Sequence, residues 1–271
     1  MQPAPHLTLS IRALSHLNDL KQCEEIQRAV WGFSDLEIMA APHLSAVIHA
    51  GGLVAGAFYE DAYKSALCGF VFGFPAYARS SPGLHSDMMA VLPKFRGLGI
   101  GQQLKWFQRD WCLQRGLSYV SWTFDPLQAK NAKLNLEHLG ASASEYLINP
   151  YGVLGDTLNG ALPSDRLVAH WDLSQPVSEP VSEPGVRALE FGTPRPSSAH
   201  ACALHAETLT PNLIDEPHLL VATPEDINAL RATDPDRALA WRLAQREVFL
   251  KLFARGYTVT RFVNGHYMLE R

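Results

Sequence analysis

A chain that sets glycine at 97, 99 and 101 between an apolar run and an amphipathic helix has few folds open to it. The stretch 84–104 reads LHSDMMAVLPKFRGLGIGQQL. Pro93 cannot continue a central strand, so the run over 84–91 is expected to be a strand that ends before it. Ile100, Leu104, Phe107 and Trp111 then recur at helical spacing, which predicts a helix to Leu113 packed on a sheet. A strand, a glycine turn and a helix start in that order make an anion site. The first amides of a helix lack an intrahelical acceptor, and the helix dipole adds positive potential. Glycine lets that backbone come close to a bulky phosphate group.

Composition narrows the ligand little but excludes several classes. With 271 residues, 47% of them hydrophobic, the chain can build one large domain or two modest ones. A net charge of −4 gives no global reason to expect nucleic acid or an anionic membrane. Cys23, Cys68, Cys112 and Cys202 form no CxxC pair, so reduced thiols of a cytoplasmic protein are expected rather than disulfides or zinc. The start, MQPAPHLTLS, lacks the basic-then-apolar form of a signal peptide, and no apolar run reaches membrane-spanning length.

Along the chain, Leu7, Leu9 and Ile11 alternate with polar residues and predict a first strand over 7–13. A helix capped by Ser15 is predicted to run to Trp31, and a loop with a short helix after Pro42 should follow. Strands at 53–59 and 67–74 should pair as a hairpin before the glycine stretch. Beyond it come a buried strand at 119–124, a helix from Leu127 to Leu139 stopped by Gly140, and two or three strands in 145–173. These elements predict a mixed, mostly antiparallel α/β (α+β) sheet with helices on both faces. Residues 174–185, SQPVSEPVSEPG, read as an extended linker. A smaller α+β domain over 186–271 should follow. In it a strand is expected over 186–191 and another over 218–222. A helix start is expected at Thr223-Pro224-Glu225-Asp226 and another at Asp234-Pro235. Asn264-Gly265 should turn a final hairpin.

Two phosphate motifs fail on inspection. A dinucleotide fingerprint needs glycine where Gln102 stands, and a P-loop needs Lys-Ser/Thr where Gln102-Gln103 stand. What fits is R-x-x-G-x-G, here Arg96-Gly97-Leu98-Gly99-Ile100-Gly101, between a strand and a helix and followed by a second strand–helix ending Leu139-Gly140-Ala141. This resembles the coenzyme A pyrophosphate loop of the GNAT acyltransferase superfamily over roughly residues 7–173. The strings WTFDPLQAKNAKLNLEHLGA, NPYG and LPSDRLVAHW further resemble a bacterial branch of predicted GNAT acyltransferases, some of them associated with N-acylamino acid metabolism.

The resemblance implies acyl transfer, with acetyl-CoA or another acyl-CoA as co-substrate and no metal. The pantetheine arm would lie in a gap between strands 84–91 and 119–124. A main-chain amide among Met89, Ala90 and Val91 would stabilise the oxyanion while a small-molecule amine or amino acid attacks directly. Acetyl and succinyl donors both remain open, and a non-catalytic acyl-CoA sensor is the alternative outside enzymes. The base must take a proton from an ammonium of pKa about 10. Asp125, His85 and Asp87 are candidates. Asp125 ends a strand beside the expected thioester, or caps the helix after Pro126. His85 and Asp87 should share one strand face, since side chains alternate. The family often places a tyrosine acid where Leu136 stands; Tyr151 or Tyr146 could replace it, or the thiolate could leave unaided. Asn131 is expected to contact the cofactor, and Asn135 shares its helix. Arg166 could bind a carboxylate or pair with Asp165. His200, His205 and His218 are too irregularly spaced for a metal site. The helix around Trp241 and Phe249 could form core or a homodimer interface.

Overall fold

A computed structural model of the chain describes residues 8–60, 65–78, 81–152, 160–175 and 217–271. The expected strand at 186–191, His200, His205 and most of the expected linker lie outside them. The chain divides into two compact units, Met1–Trp122 with Asp172–Gln175 and Thr123–Trp171 with Pro176–Arg271.

In the first unit the order is β1 (Thr8–Ala13), α1 (Leu17–Trp31), α2 (Ala41–His49), β2 (Leu53–Glu60), β3 (Ser65–Ala78), β4 (Ser81–Val91), α3 (Ile100–Leu113) and β5 (Tyr119–Phe124). These strands are ordered β1-β2-β3-β4-β5. All neighbours are antiparallel except β4 and β5. β4 and β5 are parallel because α3 carries the chain back across the sheet between them. Residues from α1 and α2 (Leu20, Cys23, Ile26, Leu44) bury one sheet face with Phe70, Phe72 and Ala90. α3 covers the opposite face, where a Cβ on Gly101 would meet Met89 Cε at 3.4 Å. Full burial of a side chain such as Phe70 or Phe72 is worth roughly 1.5–3 kcal/mol.

α1 starts later than the sequence predicts. His16 occupies the N-cap and makes no side-chain bond, so Ser15 does not cap it. Arg12 instead reaches into the first turn and pairs with Asp19 at 2.9 Å. Gly32, at φ 72°, closes the helix.

The second unit continues from β5 with α4 (Ala129–Ala132), a wide π-turn segment (Lys133–His138), β6 (Ser142–Leu147) and β7 (Arg166–Asp172). It then takes in β8 (His218–Ala222), α5 (Ile227–Thr233), α6 (Pro235–Phe253), β9 (Thr258–Val263) and β10 (His266–Glu270). Its strands are ordered β7-β6-β9-β10-β8. The single helix expected over 127–139 is therefore one α-turn that widens. Leu139 N reaches back five residues to Leu134 O (3.0 Å), and Ala141 N reaches back to Asn135 O (2.9 Å). α5 is capped by Asp226, which accepts from Asn228 and Ala229. Thr223, expected in that role, donates its hydroxyl to Pro126 O at 3.1 Å. Asp234 caps α6 as predicted, with Pro235 in the first turn. Phe249 packs this unit's core, 5.8 Å from Tyr146 and 5.3 Å from Tyr267. Asn264 and Gly265 turn the β9–β10 hairpin, with φ 49° and 79°.

Candidate active site

The glycine loop of the first unit leaves a row of amides without acceptors. After β4 the chain makes one 3-10 turn over Pro93–Phe95, and Arg96 is extended. Gly97 (φ 81°) and Gly99 (φ 73°) are both left-handed. A Cβ at either would meet nothing within 4 Å, so backbone conformation alone requires glycine there. Phe95, Arg96 and Gln103 donate to Leu92, Pro93 and Gly99. Among the described residues the amides from Gly97 to Gln102 have no partner. Gly99 is the N-cap of α3 and, lacking a side chain, contributes no capping bond, so these donors stay open to a ligand. Arg96 is exposed, and its Nε donates to Val91 O at 3.3 Å, which ties the loop to the strand end. Leu98 is half exposed, whereas Ile100 is buried.

β4 parts from β5 just before this loop. Their ladder consists of Leu84–Val120 and His85–Ser121. Residues 86–91 continue with β3 alone among the described residues. At the parting point the β3 register slips. Met88 pairs with Phe72 and Ser86 with Gly73, so Asp87 is bulged out. That bulge breaks the strict alternation expected to set His85 and Asp87 on one face. The two remain electrostatic neighbours all the same. Burial lowers the His85 pKa from 6.5, Asp87 opposes that shift, and the positive charge of Lys105 adds to it. Asp87 is exposed at its surface, yet partial loss of hydration raises its carboxyl above 3.8, and His85 pulls it back. His85 Nδ1 lies 3.3 Å from Ser121 Oγ, and its ring packs 5.2 Å from Phe74.

On the α3 face of the same parting point lies a buried lysine that sequence periodicity missed. Lys105 is 3% exposed. Its Nζ donates to Ser86 Oγ at 2.7 Å and to Gln108 Oε1 at 3.3 Å, and stands 4.0 Å above the Trp122 ring. Burial pulls its ammonium down to about 7, opposed by Cys112, whose thiol burial pushes up to about 12. The buried stripe of α3 is thus Ile100, Leu104, Lys105, Gln108 and Cys112. Phe107 and Trp111 are only half-buried. The available signal was a lysine standing at i−3 and i−7 from Gln108 and Cys112, next to Leu104 of the apolar stripe.

The remaining candidates belong to the second unit. Asp125 is buried, and its Oδ1 accepts from Leu127 N at 2.9 Å and from Arg242 Nη2 at 2.8 Å. Asp125 therefore does not cap α4, whose N-cap is Gln128; it closes a turn through Leu127 N and adds an ion pair to Arg242. Tyr151 is half exposed, with its hydroxyl 3.0 Å from Thr123 Oγ1. Asn131 is exposed on α4, and Asn135 is buried. Tyr146 donates to Asp165 at 2.8 Å, and burial beside that carboxylate pushes its phenol far up. Asp165 pairs with Arg246 through two bonds of 2.7 and 2.9 Å, not with Arg166. Arg166 donates to the Asp165 carbonyl and lies 5.5 Å over the Tyr151 ring. No cluster of three metal-ligating side chains occurs among the described residues. No described helix is long and apolar enough to cross a membrane.

The chain is similar to known proteins over part of its length. Residues 20–140 match the Acetyltransferase (GNAT) family model. No curated protein matches the chain. Among solved structures, the ribosomal-protein-S18-alanine N-acetyltransferase of Escherichia coli is similar at 16% identity and a TM-score of 0.47, covering 65% of this chain and 100% of that one. Mutant forms of the spermidine/spermine N-acetyltransferase SpeG from Vibrio cholerae align at 18% identity and a TM-score of 0.47, covering 61% and 94%. Naa50 of Arabidopsis thaliana, bound to the bisubstrate analogue CoA-Ac-MVNAL, aligns at 17% and 0.46, covering 60% and 97%. The similarity to the GNAT acetyltransferase family thus lies in residues 20–140, a little under half of the chain.

Proposed function

We propose that the protein is an acyl-CoA-dependent N-acyltransferase that moves an acyl group, with acetyl-CoA as donor, to the amine of a small molecule. The observation that carries this is the row of open amides from Gly97 to Gln102 beside a strand whose ladder to β5 stops after two pairs. The amides offer a pyrophosphate cradle. The unpaired edge of β4 from Ser86 to Val91 offers a pantetheine arm backbone partners, and an amide among Met89, Ala90 and Val91 can stabilise an oxyanion. Arg96, Leu98, Ile100 and Asn131 complete the proposed cofactor contacts.

Of the candidate bases, His85 and Asp87 suit the chemistry better than Asp125. His85 is held neutral by burial, which leaves a ring nitrogen able to accept a proton near neutral pH. Asp125 already spends the same oxygen on Leu127 and Arg242. Tyr151, half exposed in the second unit, is kept as a proposed acid. The acceptor amine attacks the thioester carbon directly in a ternary complex, with no covalent enzyme intermediate. We keep residues 1–173 as the proposed catalytic domain and 186–271 as a proposed packing or dimerisation domain, although the compact units divide at Trp122 instead.

A thiol-release assay with acetyl- and succinyl-CoA over a panel of amines and amino acids tests this. Thiol release with at least one amine is the expected result. Tight acyl-CoA binding with no release across the panel would replace the enzyme with a sensor. Preference for succinyl-CoA with amino acids would reassign donor and acceptor together.

A further inference from the structure

The cluster around Lys105 has no part in the steps above, yet it occupies the closed end of the fork. If pyrophosphate sits on the amides before α3, the unpaired edge of β4 leads back from Val91 to Ser86. With its carbonyl on an amide of the Met89–Val91 stretch, the thioester of an arm laid along that edge has its sulfur directed back toward Ser86, where β4 and β5 part. There Ser86 from β4 and Trp122 from β5 flank one amine, at 2.7 Å and 4.0 Å. An ammonium has three N–H groups, and three partners surround this one: Ser86 Oγ, Gln108 Oε1 and the Trp122 face. Gln108 is fully buried, and its Nε2 has no partner among the described residues, so the amide is placed for what its oxygen does.

We propose that Lys105 is the proton source for the departing coenzyme A thiolate, acting through the hydroxyl of Ser86. This rests on the acyl-CoA reading above. As the acceptor nitrogen bonds to the thioester carbon, the C–S bond breaks and its electron pair goes to sulfur. Ser86 Oγ–H gives its proton to that sulfur and takes one from Lys105 Nζ, which becomes a neutral amine. The proton lost by the acceptor nitrogen goes to His85 or solvent, and Lys105 is recharged from solvent after product leaves.

The electrostatics suit the step. Burial brings the Lys105 ammonium down to about 7, acidic enough to protonate a thiolate of pKa about 8.5. The charges that act on it are few. Cys112 on α3 stays a neutral thiol, and His85 across β4 is held neutral by burial. Asp87, on β4, acts on His85 and not on the lysine.

The test uses the whole chain, acetyl-CoA and an amine that reacts in the thiol-release panel. Lys105→Met is expected to lower kcat roughly a hundredfold while KM for acetyl-CoA stays within about twofold, and to abolish the alkaline limb of the kcat–pH profile. Ser86→Ala, which leaves the lysine in place, is expected to lose comparable rate. Nitrothiophenyl acetate, whose thiol leaves without a proton, should acylate the amine equally with wild type and both variants. Unchanged kcat and alkaline limb in Lys105→Met would overturn the role. Equal loss with the nitrothiophenyl ester would also overturn it, because the defect would then be structural. If Lys105→Met does not fold, Ser86→Ala decides by the same two readouts. Failure of wild type to bind acetyl-CoA by calorimetry would instead remove the acyl-CoA reading, and this role with it.

Discussion

Replacing Asp125 with alanine should cost far more stability than its place at a strand end suggests. Arg242 is 1% exposed, and its Nη2 lies 2.8 Å from Asp125 Oδ1. Its Nε and Nη1 are buried without hydrogen-bond partners among the described residues. Asp125 is therefore the carboxylate in contact with a guanidinium that water does not reach, while Asp165 acts on it at longer range. Removing one partner of a buried pair costs roughly 3–5 kcal/mol, because the other charge stays buried without compensation. The lost bond to Leu127 N adds about 1 kcal/mol. The expected total for Asp125→Ala is about 4–6 kcal/mol. Removing both charges, as in Asp125→Ala with Arg242→Met, should recover about half of that. Urea unfolding of the two single variants and the double variant supplies the measurement. A cost below about 1 kcal/mol for Asp125→Ala, or three additive values, would refute the reasoning and return Asp125 to the list of free bases.

Gly99→Val forces a β-branched residue into φ 73°, so coenzyme A affinity measured by calorimetry should collapse while the core-dependent melting temperature changes little. Unchanged affinity would mean that this loop is not the cradle. Phe72→Ala empties a fully buried site beside the β4 bulge and should destabilise the first unit by about 3–5 kcal/mol in the same urea assay. Lys105 makes stability depend on pH in a defined direction. Its folded pKa, about 7, lies below the unfolded value of 10.5. Its contribution is therefore greatest above pH 10.5 and falls as pH drops through the window from 10.5 to about 7. Lys105→Met should gain stability relative to wild type between pH 10 and pH 7; a pH-independent difference would show that the lysine stays charged throughout.

Much of the first unit was legible because its signals are local. The loop glycines, Pro93 and the apolar stripe from Ile100 each dictate conformation over a few residues, and the strand at 119–124 appears with the bounds expected. The caps show where local signals compete. Ser15 and Thr223 have capping chemistry, but the helices start at Leu17 and Ile227, because Thr223 is drawn to Pro126 O across the second unit. Asp125 presented two roles of equal weight. Its partner Arg242 stands 117 residues away, a pairing no pattern in either segment reveals.

By itself the sequence determined that a strand, a glycine turn and a helix follow one another at 84–104, since backbone sterics and helix ends act within single turns. Only the tertiary structure decided what lies around that turn. It set the bulge at Asp87, ended the β4–β5 ladder after His85, and placed Lys105 between Ser86 and Trp122. Strand register and the burial of a charge are properties of elements brought together, and residues distant along the chain supply the partners that make a buried lysine tolerable.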